Sequence, residues 1–299
     1  MTKIILLLLS LLVFSFGCSC NKVVRISPEG FSSDKGIEKL SRKNQAEVKK
    51  RMKAIKAELA KLKDHPWAGV YAHGMHLGAY MEIAVAPKAG FAYTYKSTDL
   101  FDGEGPALFN QNYGEVTWED GRLKLSPALA DDDRTDGQDY DPFSTEFVLI
   151  PWGDQLCLIP ADRIINFCNA VNSGFVICFF RDFHYGTRRP TEKPDVPEEF
   201  KPYLLEKPIE GQVISVGETK EYRERSWTTK ETVVKVDKGS QDGILPGMEF
   251  YVTSPEKIFA PIKLTQVSET ESEGIIKQDN IKQETPQIDW TVSTSLRHK

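Results

Sequence analysis

Residues 81–95, MEIAVAPKAGFAYTY, contain the clearest strand pattern in this chain. Every second residue of 81–85 is large and apolar, every second residue of 91–95 is aromatic, and a turn-forming segment at 87–90 separates the two runs. An alternation of period two puts one set of side chains on one face of a strand. The stretch therefore predicts an antiparallel hairpin with one buried face, and a fold that is mainly β.

Two further hairpins are predicted on the carboxyl side of this one. Asp120-Gly121 joins two alternating runs, and an Asp-Gly pair in that position is the strongest short hairpin signal. The apolar runs 147–150 and 156–159 form the other hairpin around a turn at 152–155. Together these runs predict an antiparallel sheet or a partial barrel.

The same unit is expected to end with a short helix and one more strand. Residues 161–172 carry a helical pattern, and Gly174 follows where glycine commonly ends a helix. Residues 175–180 predict the last strand. We therefore expect an antiparallel β domain with a short helix over 65–190.

Two short resemblances lie in this domain. Residues 67–71, WAGVY, resemble the opening strand of a lipocalin-type barrel, and this resemblance implies an interior cup for a small molecule or lipid. Residues 152–174 resemble a segment found in uncharacterised bacterial proteins, and this resemblance implies no activity.

An amphipathic helix is predicted before the domain, over 37–64. The apolar residues between Val48 and Leu62 recur at spacings of four and three, which draws one apolar stripe along a helix. We expect this stripe to pack on the following domain, because an isolated helix is only marginally stable in water. A short coiled coil and a lysine-rich face held against anionic lipid are the alternatives.

Charge is unevenly distributed along the chain. The formal net charge is -5, yet residues 18–65 hold 13 Lys and Arg against 6 Asp and Glu. A basic stem thus precedes an acidic body, and the overall composition is that of an ordinary globular protein. We expect no nucleic-acid partner for such a body.

A proline-rich segment separates the first domain from the rest of the chain. Five prolines fall between 190 and 208, with Glu and Lys among them. Proline restricts its own backbone and biases the preceding residue toward extended conformations. The composition therefore predicts a stiff Pro-rich linker over 191–207.

Alternating apolar residues return from 209 onward and predict a small β-barrel domain over 208–299. In its centre, VDKGSQDGILPGMEF (236–250), we expect Gly239, Gly243 and Gly247 to supply positive φ, with Pro246-Gly247 in a type II turn. The stretch resembles small β-barrel modules of exported bacterial assembly proteins, including rod-shape and flagellar assembly factors. That resemblance implies a structural module and no catalytic residue.

The amino terminus predicts export. Lys3 precedes an apolar run, 4–16, which is shorter than the roughly 20 residues of a membrane-spanning helix. Residues 15–18, SFGC, resemble a lipobox, which implies a signal peptide at 1–17 and acylation of Cys18. The resemblance implies a bacterial envelope lipoprotein.

Alternatives remain open at this terminus. Cys20 is a second candidate acceptor, and cleavage without lipidation would give a soluble secreted or periplasmic protein. Residues 18–36 are rich in Ser and Gly and predict a flexible tether. Anchoring by acyl chains would make the membrane a partner, since each buried methylene contributes about 0.8 kcal/mol.

The remaining cysteines allow disulfides in an oxidising compartment. Cys168 and Cys178 flank the end of the predicted helix and its glycine turn, so they are a candidate pair. Buried free thiols are the alternative, because cysteine also behaves as a small apolar residue.

Two clusters hold residue types that bind metals. His73 and His76 are close in sequence, but residues three apart on a strand point to opposite faces. Asp131, Asp133 and Asp136 lie in an acidic run that suits Ca²⁺, although the run lacks the glycine and glutamate of an EF-hand loop. We treat these residues as weak metal candidates, with a solvated acidic loop as the alternative.

The sequence contains no nucleophile motif and no phosphate-binding glycine loop, so neither a catalytic residue nor a cofactor is predicted. These features favour a non-catalytic, membrane-tethered envelope lipoprotein that presents interaction surfaces to an envelope protein partner. A small-molecule or lipid carrier that uses the interior of 65–190 is the second hypothesis. An envelope hydrolase is the third.

Overall fold

Two antiparallel β-barrels, each closed on itself, follow one another along the chain in a computed structural model of the protein. The structure describes residues 35–74, 79–98, 106–129, 144–174, 179–181, 192–224, 227–254, 260–279 and 284–296. A mainly β fold with an N-terminal amphipathic helix is therefore confirmed.

Barrel one has, in the described ranges, eight strands that pair in chain order and close through β8 and β1. The partial barrel predicted from the hairpins is thus a complete one. Its strands are β1 (Gly69–Gly74), β2 (Ala79–Ala86), β3 (Gly90–Thr98), β4 (Pro106–Glu119), β5 (Arg122–Pro127), β6 (Glu146–Trp152), β7 (Gln155–Pro160) and β8 (Phe179–Arg181).

Three tight turns lie at one end of barrel one, because successive strands run in opposite directions. They occupy 87–89, 120–121 and 153–154, and we call this end of the barrel the turn end. Asp120 and Gly121 have φ angles of 52° and 76°, as the type I′ turn of an Asp-Gly hairpin requires. The predicted hairpin turns are confirmed.

Side chains fill the middle of barrel one. Eight strands enclose a space that side chains can just fill or that can hold one small ligand. Here six strands each contribute one side chain that is at most 2 % exposed: Tyr71, Ile83, Phe91, Leu123, Phe147 and Leu158. Asn112 is also fully buried, and its side-chain amide bonds both the N–H and the carbonyl of Leu129.

Helix α1 (Lys35–Leu59) packs against the outside of barrel one. Val48 and Ile55 are almost fully buried against Ala84, Ala86 and Ala92, whose small side chains let the helix approach the sheet. The expectation that the apolar stripe packs on the following domain is therefore confirmed. The helix ends at Leu59, before the predicted limit of 64.

Polar contacts from α1 hold the turn between β2 and β3. Arg51 Nη1 donates to the carbonyl oxygen of Ala89 at 2.7 Å. The Glu58 carboxylate accepts the backbone N–H groups of Lys88 and Ala89, at 3.1 and 2.7 Å. Arg51 and Glu58 therefore contribute to the docking of this helix on barrel one.

Helix α2 (Ile164–Ser173) follows a single 3₁₀ turn, Ala161–Arg163, and covers the opposite side of barrel one. Gly174 ends it in the left-handed conformation, and its N–H donates to the carbonyls of Ala170 and Val171. The sequence predicted this helix over 161–172. The α-helix begins three residues later, after the 3₁₀ turn, and ends one residue later, at Ser173.

The proline-rich segment is packed, where the structure describes it, from 192 to 207. Pro194 and Val196 are buried. Trp152 Nε1 donates to the carbonyl of Glu192 at 2.6 Å, and the N–H of Asp195 donates to the carbonyl of Pro151 at 2.8 Å. Pro197 has the extended backbone that we expected, whereas Glu198–Tyr203, which includes Pro202, forms a 3₁₀ helix. The buried side chain of Val196 packs this segment against barrel one. The domain boundaries themselves stay predictions.

Barrel two has, in the described ranges, six strands in the order β9–β10–β13–β12–β11–β14, closed by β14 on β9. Its core contains the alternating residues predicted from the sequence, among them Val213, Val234, Phe250 and Ile262. The strands are β9 (Glu210–Glu224), β10 (Trp227–Val236), β11 (Glu249–Ser254), β12 (Pro261–Val267), β13 (Ser272–Asp279) and β14 (Thr291–Ser293).

The three glycines of 236–250 serve two different purposes. Gly243 and Gly247 have a φ of 85°, and the N–H of Met248 donates to the carbonyl of Leu245 across the Pro246-Gly247 turn. Gly239 has a φ of -135°, so the expectation of positive φ is wrong for this residue. A Cβ there would lie 2.5 Å from the carbonyl oxygen of Glu269, and this close approach is what requires glycine.

Candidate functional site

Helix α2 joins the two barrels through buried polar contacts. Asn169 is 2 % exposed, and its Nδ2 donates to the carbonyl of Gly247 at 2.8 Å. The N–H of Leu296 donates to the carbonyl of Ser173 at 3.3 Å. A buried amide without a partner costs about 1–3 kcal/mol, so the Asn169 bond ties α2 to the Pro246-Gly247 turn.

Tyr203 makes a second connection between the barrels. Its ring packs against the core of barrel two and against the apolar cluster under α2. Its hydroxyl donates to the carbonyl of Pro246 at 3.2 Å. The Asn172 side chain fixes the backbone around Tyr203, because its Nδ2 donates to the carbonyl of Tyr203 and its Oδ1 accepts the N–H of Leu205. The two barrels therefore share one packed interface.

An ionisable pair lies beside this interface. The Tyr251 hydroxyl donates to Glu249 Oε2 at 2.8 Å and also interacts with the side chain of Ser173 in α2. Burial raises the pKa of the Glu249 carboxyl above its usual range. Burial and the neighbouring Glu249 charge together raise the pKa of Tyr251. Charge on Glu249 is thus disfavoured at a point where the barrels meet.

A polar cleft of about 530 Å³ opens at the turn end of barrel one. A smaller recess of about 180 Å³, between α1 and the barrel, shares two of its residues, His65 and Arg181. We call the larger one the rim cleft. Its lining includes Asp64, His65, Asp154, Gln155, Leu156 and Arg181.

Two features of the fold shape this cleft. Trp67 lies at the turn end, where its ring stacks on that of Trp118 with centroids 6.3 Å apart. The carbonyl of Trp67 accepts a hydrogen bond from the buried Tyr71 hydroxyl at 2.8 Å. Arg181 ends β8 opposite Tyr71 in the strand register. Arg181 therefore lies at the turn end of barrel one, on the strand pair that closes the barrel.

Large apolar side chains are exposed at a few positions on barrel two. Ile288 is 58 % exposed and Ile214 is 41 % exposed. The N–H of Asp289 donates to the carbonyl of Val213 at 2.8 Å, so these two isoleucines occupy neighbouring backbone positions on the surface. We call them the isoleucine pair.

The candidate residues from the sequence are distributed as follows. His73 lies on β1 and its ring meets the edge of Phe179, with centroids 6.4 Å apart. His76, Asp131, Asp133 and Asp136 lie outside the described residues. Among the residues that are described, no group of three or more His, Cys, Asp or Glu is placed to hold a metal ion.

Of the cysteines, Cys168 is a fully buried thiol in α2, and burial raises its pKa to about 12. Cys178, its candidate partner, and Cys18, the candidate lipidation site, lie outside the described residues, so both assignments stay predictions. Within the described parts of the chain, none of the helices combines the length and apolar character needed to cross a membrane.

The rim cleft and the inter-barrel contacts were not predicted from the sequence. The cleft collects residues from 64–65, 154–156 and 181, which no local motif links. Gly153-Asp154 could be read only as a turn. Asn169 gives one usable signal, because an amide on the buried side of a short helix needs a partner.

Comparisons with protein-family models, with curated proteins and with solved structures found no match for this chain.

Proposed function

We propose that this protein is a non-catalytic, membrane-tethered envelope lipoprotein that presents a protein-interaction surface on two packed β-barrels. The filled interior of barrel one carries this proposal. Six strands place nearly inaccessible side chains in its middle, which favours an exterior binding role over a carrier that encloses its ligand.

The isoleucine pair is the surface of the described residues that we assign to a protein partner. Exposed apolar residues that stand together mark interaction sites more often than isolated ones do. Trp118, another exposed apolar side chain, already has a partner in Trp67. Among the described residues, Ile214 and Ile288 are exposed apolar residues at neighbouring backbone positions.

Site-specific photocross-linking in the native envelope tests this surface. A photoreactive residue at position 288 should form a discrete adduct with an envelope protein, and Ile214→Asp should abolish it. The same residue at position 124, on the outside of barrel one, is the matched control. Equal labelling at 124 and 288, together with a small molecule retained in native mass spectra, would instead support the carrier.

The tether is tested separately by fractionation. Cys18→Ser should move the protein from the membrane to the soluble fraction, because the acyl chains supply the anchoring energy. Cys20→Ser should leave it membrane-bound. Release by Cys20→Ser and retention by Cys18→Ser would assign the acceptor to Cys20.

A further inference from the structure

The rim cleft contains an arginine, Arg181, whose guanidinium has no polar partner among the described residues. Arg181 is half-buried, and a Cβ on Gly69 would lie 2.9 Å from its Nε, so the side chain lies directly against the β1 backbone. Its backbone pairs with Tyr71 in the β1–β8 ladder, but its guanidinium makes no hydrogen bond or ion pair with the residues that the structure describes. A guanidinium carries five N–H donors and no acceptor, and its planar fork matches a carboxylate with two parallel hydrogen bonds.

His65 supplies a second donor to the same cleft. Its Nδ1 accepts the backbone N–H of Ala68 at 3.1 Å and, at 3.4 Å, that of Trp67. A neutral imidazole whose Nδ1 accepts carries its proton on Nε2. The ring is also held edge-on against Trp67, with centroids 4.8 Å apart. His65 is therefore an oriented donor beside Arg181.

Carboxylates line the same cleft without neutralising the arginine. Asp64 stands at a φ of 50° just before His65, and Asp154 lies in the β6–β7 turn, where it accepts a hydrogen bond from Gln155 at 3.1 Å. Neither lies within ion-pair distance of Arg181 in the structure. The cleft therefore offers one positive side chain and two negative side chains to a ligand, and Arg181 forms no ion pair with either carboxylate.

We propose that the rim cleft binds a small zwitterion of the amino-acid type, with its carboxylate on Arg181 and His65 and its ammonium on Asp64 and Asp154. A cleft of about 530 Å³ is of the size that holds small ligands, roughly 300–1,000 Å³. This site goes beyond the interaction role proposed above and does not rest on it.

Probes of matched size separate the two charges. Glycylglycine carries both, N-acetylglycylglycine carries only the carboxylate, and glycylglycinamide carries only the ammonium. Titration of the full chain, followed by the NMR signals of Arg181 Nε–H and the His65 ring, gives a dissociation constant for each probe. We expect glycylglycine to bind at least ten times more tightly than either singly charged probe.

Substitutions then assign each half of the ligand. Arg181→Gln should weaken both carboxylate-bearing probes about tenfold or more and leave glycylglycinamide unchanged. Asp154→Asn should weaken the two ammonium-bearing probes and leave N-acetylglycylglycine unchanged. Lys124→Gln, on the same barrel but outside the cleft, should change none of them. If Arg181→Gln does not fold, Arg181→Lys replaces it in this test, because lysine keeps the positive charge but lacks the planar guanidinium.

Two results overturn the proposal. One is the absence of saturable shifts at Arg181 and His65 with millimolar glycylglycine. The other is equal binding of glycylglycine, N-acetylglycylglycine and inorganic phosphate, which would make the cleft a general anion site.

Discussion

Gly243 and Gly247 share a φ of 85° but have different surroundings. A Cβ on Gly243 would meet nothing within 4 Å, whereas a Cβ on Gly247 would lie 3.3 Å from Ile165 Cγ2 in α2. The two glycines therefore separate the cost of backbone strain from the cost of disturbing the contact between the barrels.

Alanine at each position should lower the melting temperature by different amounts. Gly243→Ala should cost about 1–2 kcal/mol through the left-handed backbone alone. Gly247→Ala should cost more, since Ile165 must also move. Thermal unfolding of the full chain measures both, with each kcal/mol corresponding to a shift of about 2–4 °C. Equal shifts would mean that α2 does not press on this turn.

Glu249 makes the stability of the protein depend on pH. Because its carboxyl has a raised pKa in the folded state, the folded protein holds this proton more tightly than the unfolded chain does. The resulting stabilisation is complete below the unfolded pKa of 4.5 and is lost as the pH rises through the folded value.

Glu249→Gln should remove this dependence while keeping an acceptor for the Tyr251 hydroxyl. The melting temperature of the variant relative to the wild type should therefore increase between about pH 4 and pH 8. Glu273→Gln is a control on β13, away from α2. A constant difference across that range would show that burial does not disfavour the charge on Glu249.

At the scale of elements, the packed segment 192–207 should resist proteases, although its proline content suggests an exposed linker. Its carbonyl and N–H groups bond Trp152 and Pro151, and Val196 is 2 % exposed. Limited proteolysis should spare this stretch in the wild type and cut it in Val196→Asp. Glu199→Ala, at an exposed position of the same segment, is the control. Early cleavage of the wild type here would mean that the packing is lost in solution.

Hairpins were predictable from the sequence, because alternation and turn residues are local properties. The 81–95 hairpin and the Asp120-Gly121 turn both appear where they were expected. β13 and β14 lack this alternation of large apolar residues, for a physical reason. β13 contains adjacent isoleucines and a glycine, Gly274, at which an added Cβ would lie 2.7 Å from the carbonyl oxygen of Lys263. β14 has only three residues, which is too short for an alternation to show.

The site was less predictable than the strands. His65 and Arg181 come together only because barrel one closes through β8 and β1, a pairing between opposite ends of the domain. Long-range closure of this kind leaves no periodic signal. The predicted ligand residues that are close in sequence, such as His73 and His76, gave no information about this cleft.

At the scale of the whole molecule, the contacts of Asn169 and Tyr203 predict that the barrels move as one body. Interfaces within a chain usually permit relative motion unless they are large or well bonded. Here a buried amide, a bridging tyrosine and a packed connecting segment all act between the same two units. A rigid pair of barrels presents its exterior surface in one fixed arrangement, which suits the interaction role proposed above.

Residual dipolar couplings of the backbone amides test this rigidity most directly. In a weakly aligned sample, couplings from β1–β8 and from β9–β14 should fit one alignment tensor, with the same magnitude and orientation. Two different tensors, one for each barrel, would show that the barrels reorient independently and would contradict the account.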